Sequence, residues 1–300
     1  MKIRLENVNL KSRSGPNSFA QKLVKYLLKE QHSLVRENYD AALCFIEANS
    51  NLDNSKLFQR LDGIYFNTDA DYKVQNNNIL NTYKRAKGVI FQSEFSKKLV
   101  TKFFGEHDNT CIIHNGADLE LIESTKPIEN KTLDLYENIW SCAASWRPHK
   151  RLNENIKYFL EHKKEKDCLV VAGQPDYHVN DPNIFYVGEL PYETLLSLYK
   201  RSKIFIHLGW LDNCPNVVVD ARASGCEIIC TSAGGTHEVA GPEAIIIQEP
   251  EWNFEPTKLY NPPSIDFSKK IKSKFDSCYN MEKVTEKYVE FVNGNRKTSF

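Results

Sequence analysis

The chain has 300 residues, about twice the usual size of one domain, so two domains are the expectation. Lysine plus arginine number 39 and aspartate plus glutamate 39, and 41% of residues are hydrophobic, enough for a full core. Residues 1–125 hold 17 basic and 15 acidic side chains, leaving 22 and 24 beyond them; neither half is the polycation that a duplex nucleic acid partner requires.

Residues 1–5 alternate as a first strand. The loop KSRSGPNS (11–18) follows, then a helix with Ser18 as its expected N-cap and Phe19, Leu23, Tyr26 and Leu27 as its apolar stripe. A glycine-bearing loop between strand and helix, here holding Gly15 and Asn17, can cradle phosphate or sugar on backbone N–H groups, although any tight turn of this kind reads the same way. Residues 41–48 (AALCFIEA) form the next strand and 64–66 a shorter extended segment. Asp69-Ala70-Asp71 has the form of a metal-binding Asp-x-Asp pair, but it stands in a polar stretch that reads as a solvated loop. Residues 88–92 are a strand, Ser93 caps a helix through 104, and 110–114 are another strand leading into Asn115-Gly116-Ala117-Asp118. Lys84, Arg85, Lys87, Lys97, Lys98 and Lys102 make this region basic. A solvated face is the main reading, and peripheral contact with an anionic membrane or a charged acceptor is the alternative. The charged stretch 119–138 is the expected linker.

The second half alternates more regularly. Strand 140–144 runs into the loop SWRPHKR (145–151), a helix over 152–162 and strand 168–172, ended by Gly173. Residues 185–187 lead to Gly188, and Pro191 begins a helix with Leu195, Leu196, Leu198 and Tyr199 as apolar positions. The apolar run 204–208 opens the most informative stretch. It is followed by a loop with Asp212, a helix start with Asp220, a turn at Gly225, strand 228–230 and the small-residue loop TSAGGT (231–236), with Glu238 just beyond. Strand 244–247 and a terminal helix over 281–291 complete the chain. The expected division is 1–125, 126–280, and a helix and tail at 281–300. Alternating strands and helices in both halves imply an α/β protein of two Rossmann-like parallel-sheet domains facing across a cleft, with ligands at the carboxyl ends of the strands.

Eight cysteines include no Cys-x-x-Cys pair, and Cys44, Cys111, Cys142, Cys168 and Cys230 sit in or beside apolar runs, as buried thiols of a reducing compartment do. Cys226 and Cys230 lack the neighbours of a metal site. The N-terminus is too polar for a signal peptide and no apolar run approaches membrane-spanning length, so a soluble cytoplasmic protein is expected. In that setting the sequon at Asn130 is a chance match.

Asp212-Asn-Cys-Pro-Asn-Val-Val-Val-Asp220-Ala-Arg-Ala-Ser-Gly225 resembles the acidic frame of retaining glycosyltransferases of family 4, which have the GT-B fold. That family places two glutamates at this spacing; here both are aspartate. Ser145-Trp146-Arg147-Pro148-His149-Lys150 is similar to its Arg/Lys loop for the donor diphosphate, and Val187-Gly188 to the strand end that meets the nucleotide base. Gly234-Gly235-Thr236-x-Glu238 is similar to the loop behind the acidic helix. In the first half, Gly15-Pro16-Asn17 occupies the place of the Gly-rich loop, and Ser93-x-Phe95-Ser96 and Asn115-Gly116-x-Asp118 match the domain-closing segments. The resemblance covers roughly residues 1–250.

What the resemblance implies is transfer of a hexose from a UDP- or GDP-sugar to a glycan or lipid-linked acceptor, with retention and no cofactor or metal. Arg147 and Lys150 meet the leaving diphosphate, Asp220 the ribose diol, and Asp212 the sugar or the positive charge at its anomeric carbon. Gly15, Asn17 and Gly188 line the donor. Aspartate is shorter than glutamate by about 1.5 Å. Pro215 has no N–H, which leaves the amides of Asn216, Val217 and Val218 to face the donor. His149, His207 and His237 bear no mark of a base. A nucleotide-sugar epimerase on the same scaffold and a non-catalytic nucleotide-sugar-binding subunit remain alternatives, the latter because of the two aspartates and Pro215.

Overall fold

The computed structural model describes residues 1–294; of the expected helix and tail at 281–300, residues 295–300 lie outside the described residues. The chain forms two compact units. The first comprises Met1–Ala117, Asn253–Thr257 and, among the described residues, 278–294; the second comprises Asp118–Trp252 and Lys258–Ser277.

In the first unit the chain runs β1 (Lys2–Glu6), α1 (Gly15–Lys29), β2 (Ser33–Leu34), β3 (Ala41–Phe45), β4 (Leu57–Leu61), α2 (Tyr72–Arg85), β5 (Gly88–Phe91), α3 (Glu94–Phe104) and β6 (Thr110–Ile112). Six parallel strands lie in the order β2-β1-β3-β4-β5-β6. Every residue of β3, β4 and β5 is buried, as expected for a parallel sheet covered on both faces. The strand expected at 64–66 lies instead at Leu57–Leu61. Its Gln59-Arg60 pair hides it from a hydropathy reading, yet both side chains are inside. Arg60 donates to the Tyr288 hydroxyl at 2.9 Å, to Asn115 Oδ1 at 2.8 Å and to Asp62, and its guanidinium lies 4.1 Å from the centre of the Phe19 ring.

Helix α1 starts at Gly15 with Ser14 as its cap residue, not at Ser18. Pro16 sits in the first turn, where its fixed φ suits a helix and its missing N–H has no partner to lose. Ser93 does cap α3, accepting from the Ser96 N–H at 3.0 Å. Asp71 caps α2 by accepting from the Val74 N–H at 3.0 Å, which gives that aspartate a local structural role.

The second unit runs α4 (Leu119–Ser124), β7 (Asn138–Ala143), α5 (Leu152–His162), β8 (Asp167–Ala172), β9 (Ile184–Gly188), α6 (Tyr192–Arg201), β10 (Ile204–His207), α7 (Asn216–Ala223), β11 (Glu227–Thr231), α8 (Thr236–Val239), β12 (Ile245–Ile247) and β13 (Lys270–Lys272). The sheet order is β13-β12-β11-β10-β7-β8-β9, with only β13 antiparallel to its neighbour. Trp140, Cys142, Phe159, Val171, Ile206 and Ile229 belong to its main core. Helix α9 (Met281–Asn293) then belongs to the first unit, where Met281, Val284, Tyr288 and Phe291 pack with Phe19, Leu23 and Tyr26.

Six of the eight cysteines are buried, while Cys111, expected inside, is half-buried like Cys278. Burial pushes the thiols of Cys168, Cys226 and Cys230 up to about 12, which removes them as nucleophiles near neutral pH. Among the described residues no helix is long and apolar enough to cross a membrane.

The loops at one edge of the second sheet are tied together by Arg151. It takes a left-handed backbone conformation (φ 52°, ψ 52°) at the start of α5, and its side chain is fully buried. Two parallel hydrogen bonds of 2.8 Å join it to Glu249 after β12, and it also donates to the carbonyls of Pro263 (2.7 Å) and Leu208 (3.4 Å). Removing one partner strands a buried charge. Glu249→Ala is therefore expected to cost about 3–5 kcal/mol in urea denaturation, against about 0–1 kcal/mol for Glu255→Ala, whose Lys102 pair is solvent-exposed. Equal effects would show that Arg151 does not tie these loops.

Candidate functional site

The order β11-β10-β7 places three carboxyl-end loops side by side, and the sequence-predicted Lys150 and Asp212 meet there. After β7, Trp146 donates its indole N–H to the Ala172 carbonyl at the end of β8, at 2.8 Å, which fixes the start of the loop. A single 3-10 turn over residues 148–150 follows, closed by the Lys150 N–H on the Arg147 carbonyl at 2.8 Å. Lys150 Nζ then lies 2.5 Å from Asp212 Oδ2. The same oxygen is 2.9 Å from Nε2 of His207, the last residue of β10.

The backbone of Asp212 is held by the glycine loop after β11. Gly235 donates its N–H to the Asp212 carbonyl at 2.7 Å, and Gly234 pairs with Asp212 as an isolated bridge. Gly234 has φ +81°, and a Cβ there would stand 2.5 Å from the Asp212 carbonyl oxygen; only glycine permits both the turn and the approach. Burial alone would raise the Asp212 carboxyl, but the Lys150 ammonium and the His207 ring hold it well below the ordinary carboxylate range.

Between the two predicted cations sits His149. Its ring packs against Tyr260 with centroids 5.5 Å apart, and its carbonyl accepts from the Trp210 N–H at 2.7 Å. Burial lowers the imidazole to about 4, with Lys150 and Arg147 adding to that and Asp212 opposing it, so the ring is neutral near pH 7. Arg147 is exposed, and among the described residues its guanidinium has no hydrogen-bond or ion-pair partner.

The acidic helix gives a mixed result. Asp220 is 3% exposed on α7, and the Tyr192 hydroxyl, from the first turn of α6, donates to its carboxylate. Burial and then the Asp220 charge hold that phenol well above its ordinary range, so it stays a donor. Pro215 is the cap residue of α7, with Asn216 and Val217 following it half-buried. The Val218 amide, expected to face a donor, instead donates to the Pro215 carbonyl at 3.1 Å, because the third N–H of the helix already finds a partner within the turn. Gly188 ends β9 at φ +68° with open space on its Cβ side.

Gly15 and Asn17 belong to the first unit. Asn17 accepts from the Asn9 N–H at 2.8 Å and donates to Ser14 Oγ at 2.9 Å, so its side chain braces the loop before α1. Four contributors escaped the sequence reading: His207 as a ligand of Asp212, Tyr192 as a ligand of Asp220, and the Arg151–Glu249 pair. Only His207 had a local signal, a polar residue at the end of an apolar strand five positions before Asp212. Among the described residues no group of three or more His, Cys, Asp or Glu side chains is arranged to hold a metal ion.

Residues 126–253 match the family of glycosyl transferases group 1. That match lies almost entirely within the second unit. A search of curated proteins finds no match to the sequence. Solved structures share the whole fold. HepE from Anabaena, in complex with UDP-glucose, is 12% identical with a TM-score of 0.66, over 98% of this chain and 100% of HepE. AviGT4, a glycosyltransferase involved in avilamycin A biosynthesis, is 13% identical with a TM-score of 0.62, over 97% of each chain. WaaG, a glycosyltransferase involved in lipopolysaccharide biosynthesis, is 10% identical with a TM-score of 0.61, over 98% of this chain and 90% of WaaG. The chain has the GT-B fold.

The lowered imidazole of His149 has a consequence for stability. Its folded-state value of about 4 lies below the ordinary 6.5, so the unfolded chain takes up the proton first. Stability is then lost as pH falls from 6.5 toward 4. His149→Asn should lose less stability than the wild type across that window in thermal melts, and parallel curves for the two proteins would contradict the buried neutral imidazole.

Proposed function

We propose that the protein is a retaining, metal-independent glycosyltransferase that moves a hexose from a nucleotide diphosphate sugar to a glycan or lipid-linked acceptor. The observation that supports it best is the meeting of Lys150, Asp212 and His207 at the carboxyl edge of the sheet within the glycosyl transferases group 1 domain. HepE holds UDP-glucose, which makes a UDP-sugar the first donor to try and a GDP-sugar the second.

In the reaction the bond from the anomeric carbon to the diphosphate oxygen breaks, and its electron pair stays with the diphosphate. Arg147, exposed and without an internal partner, presents a guanidinium fork to the phosphate oxygens. Lys150 adds a point charge beside it and supplies what a metal would otherwise supply to the leaving group. Asp212, kept ionised by Lys150 and His207, stabilises the positive charge at the anomeric carbon. Asp220 accepts from the ribose diol, with Tyr192 orienting its carboxylate. Gly188, with open space beside it, admits the base, and the amides of Asn216 and Val217 at the start of α7 face the phosphates. The acceptor hydroxyl attacks on the leaving-group face and passes its proton to the departing phosphate, so configuration is retained. Gly15 and Asn17, in the first unit, line the donor in this reading, and a peripheral membrane contact through Lys97, Lys98 and Lys102 would serve a lipid-linked acceptor.

The test is incubation with a panel of nucleotide sugars, with and without acceptor glycans, followed by NMR of the anomeric protons. Acceptor-dependent release of nucleoside diphosphate with retained configuration is expected; interconversion of the donor without an acceptor would mean an epimerase instead. Asp220→Ala should weaken nucleotide binding by about tenfold or more in calorimetry, whereas Lys150→Ala should lower kcat by about 10²–10³ with little change in donor affinity. Wild-type affinity in the Asp220 variant would take that residue out of the site. Turnover should persist in excess chelator, and strict dependence on added Mn²⁺ would return Asp69 and Asp71 to consideration.

A further inference from the structure

Lys150 and Asp212 form a nearly closed ion pair. The ammonium lies 2.5 Å from Asp212 Oδ2, with the two side chains 19% and 16% exposed. Among the described residues no other acceptor bonds the ammonium, and Asp212 Oδ1 has no partner. His207, buried at the end of β10, meets the same Oδ2 at 2.9 Å. Burial raises the Asp212 carboxyl, yet Lys150 and then His207 hold it well below the ordinary carboxylate range, so the two charges of the pair are strongly joined.

The two partners are not held alike. Gly235 donates its N–H to the Asp212 carbonyl at 2.7 Å, Gly234 pairs with Asp212 as a bridge, and His207 fixes the carboxylate. Lys150 is held by its backbone, through its N–H on the Arg147 carbonyl at 2.8 Å and its carbonyl under the Asn155 amide at 3.1 Å. Beyond Asp212 nothing among the described residues holds the ammonium, which stands on a flexible four-carbon stem. An anion that draws on this cation therefore turns Lys150 and leaves Asp212 in place.

A carboxylate and a diphosphate both draw charge-assisted hydrogen bonds from an ammonium. We propose that Asp212 competes with the donor diphosphate for Lys150, so that the pair stays closed on the intact donor and opens as the leaving group gains charge. The competition rests on the transferase reading of the site and adds to it a reason for pairing these two charges. What Lys150 gains on the phosphates of the intact donor it gives up on Asp212, so it adds little to donor affinity. When the glycosidic bond breaks, the growing negative charge draws the ammonium away, and the uncovered carboxylate faces the anomeric carbon. Both charges then count for more in the transition state than in the ground state, which raises kcat instead of tightening binding.

Calorimetry with UDP and GDP tests this on wild type, Asp212→Asn, Lys150→Ala and the double variant. Asp212→Asn keeps the side-chain shape and removes the competing charge; it should bind the preferred nucleoside diphosphate about tenfold more tightly. Lys150→Ala should cost about tenfold more affinity in the Asp212→Asn background than in the wild type. Unchanged or weaker binding by Asp212→Asn, or a gain that persists without Lys150, overturns the competition and leaves the transferase reading intact. Nitrogen-15 NMR of the Lys150 ammonium in the unsubstituted protein keeps the test available should a variant fold poorly. Its resonance should shift as the nucleoside diphosphate saturates, and an unmoved resonance overturns the competition. A wild type that binds neither UDP nor GDP removes both readings.

Discussion

The arrangement at the edge of the second sheet depends on one buried ion pair, Arg151 with Glu249. A guanidinium and a carboxylate taken out of water are expensive to bury, and two parallel 2.8 Å bonds with two further backbone carbonyls compensate for that. The pair joins the start of α5, the end of β10, the end of β12 and the segment near Pro263. Lys150 precedes Arg151 directly, so fixing Arg151 inside the unit directs Lys150 toward Asp212. Two neighbouring cations thus have opposite roles, one holding the loops and the other facing the site.

With the loops held, Asp212 is built into the site from both ends. Its backbone lies under Gly234 and Gly235, and its side chain lies between an ammonium and an imidazole. The carboxylate is therefore ionised and its direction set before any ligand arrives, which is the condition for electrostatic stabilisation without reorganisation. The Pro215 departure is local, because the N–H it removes belongs to the cap residue of α7.

The meeting of Lys150 and Asp212 was legible because each lies in a short, distinctive stretch of sequence. Arg147 and Lys150 share one loop, and Asp212 and Asp220 share one loop and helix, so short stretches were enough to carry the resemblance that singled them out. The reading failed where a side chain takes its role from a distant partner. Gln59 and Arg60 concealed β4 because their burial depends on Tyr288 and Asn115. Tyr192 reaches Asp220 from another helix. The Val218 amide, free by sequence, is already used by the first turn of α7. The start of α1 was misplaced because Ser18 and Ser14 are both good caps and only the position of Pro16 inside the first turn distinguishes them.

The sequence by itself determined the α/β class and the parallel arrangement, because strand and helix periodicities and glycine and proline positions are local properties of the chain. The tertiary structure alone decided that the last helix packs with the first unit, that His207 shares Asp212 with Lys150, and that Arg151 is buried on Glu249 while Arg147 stays exposed. Those outcomes depend on which groups lose water together, and that is settled by packing between segments far apart in the sequence rather than by spacing along it.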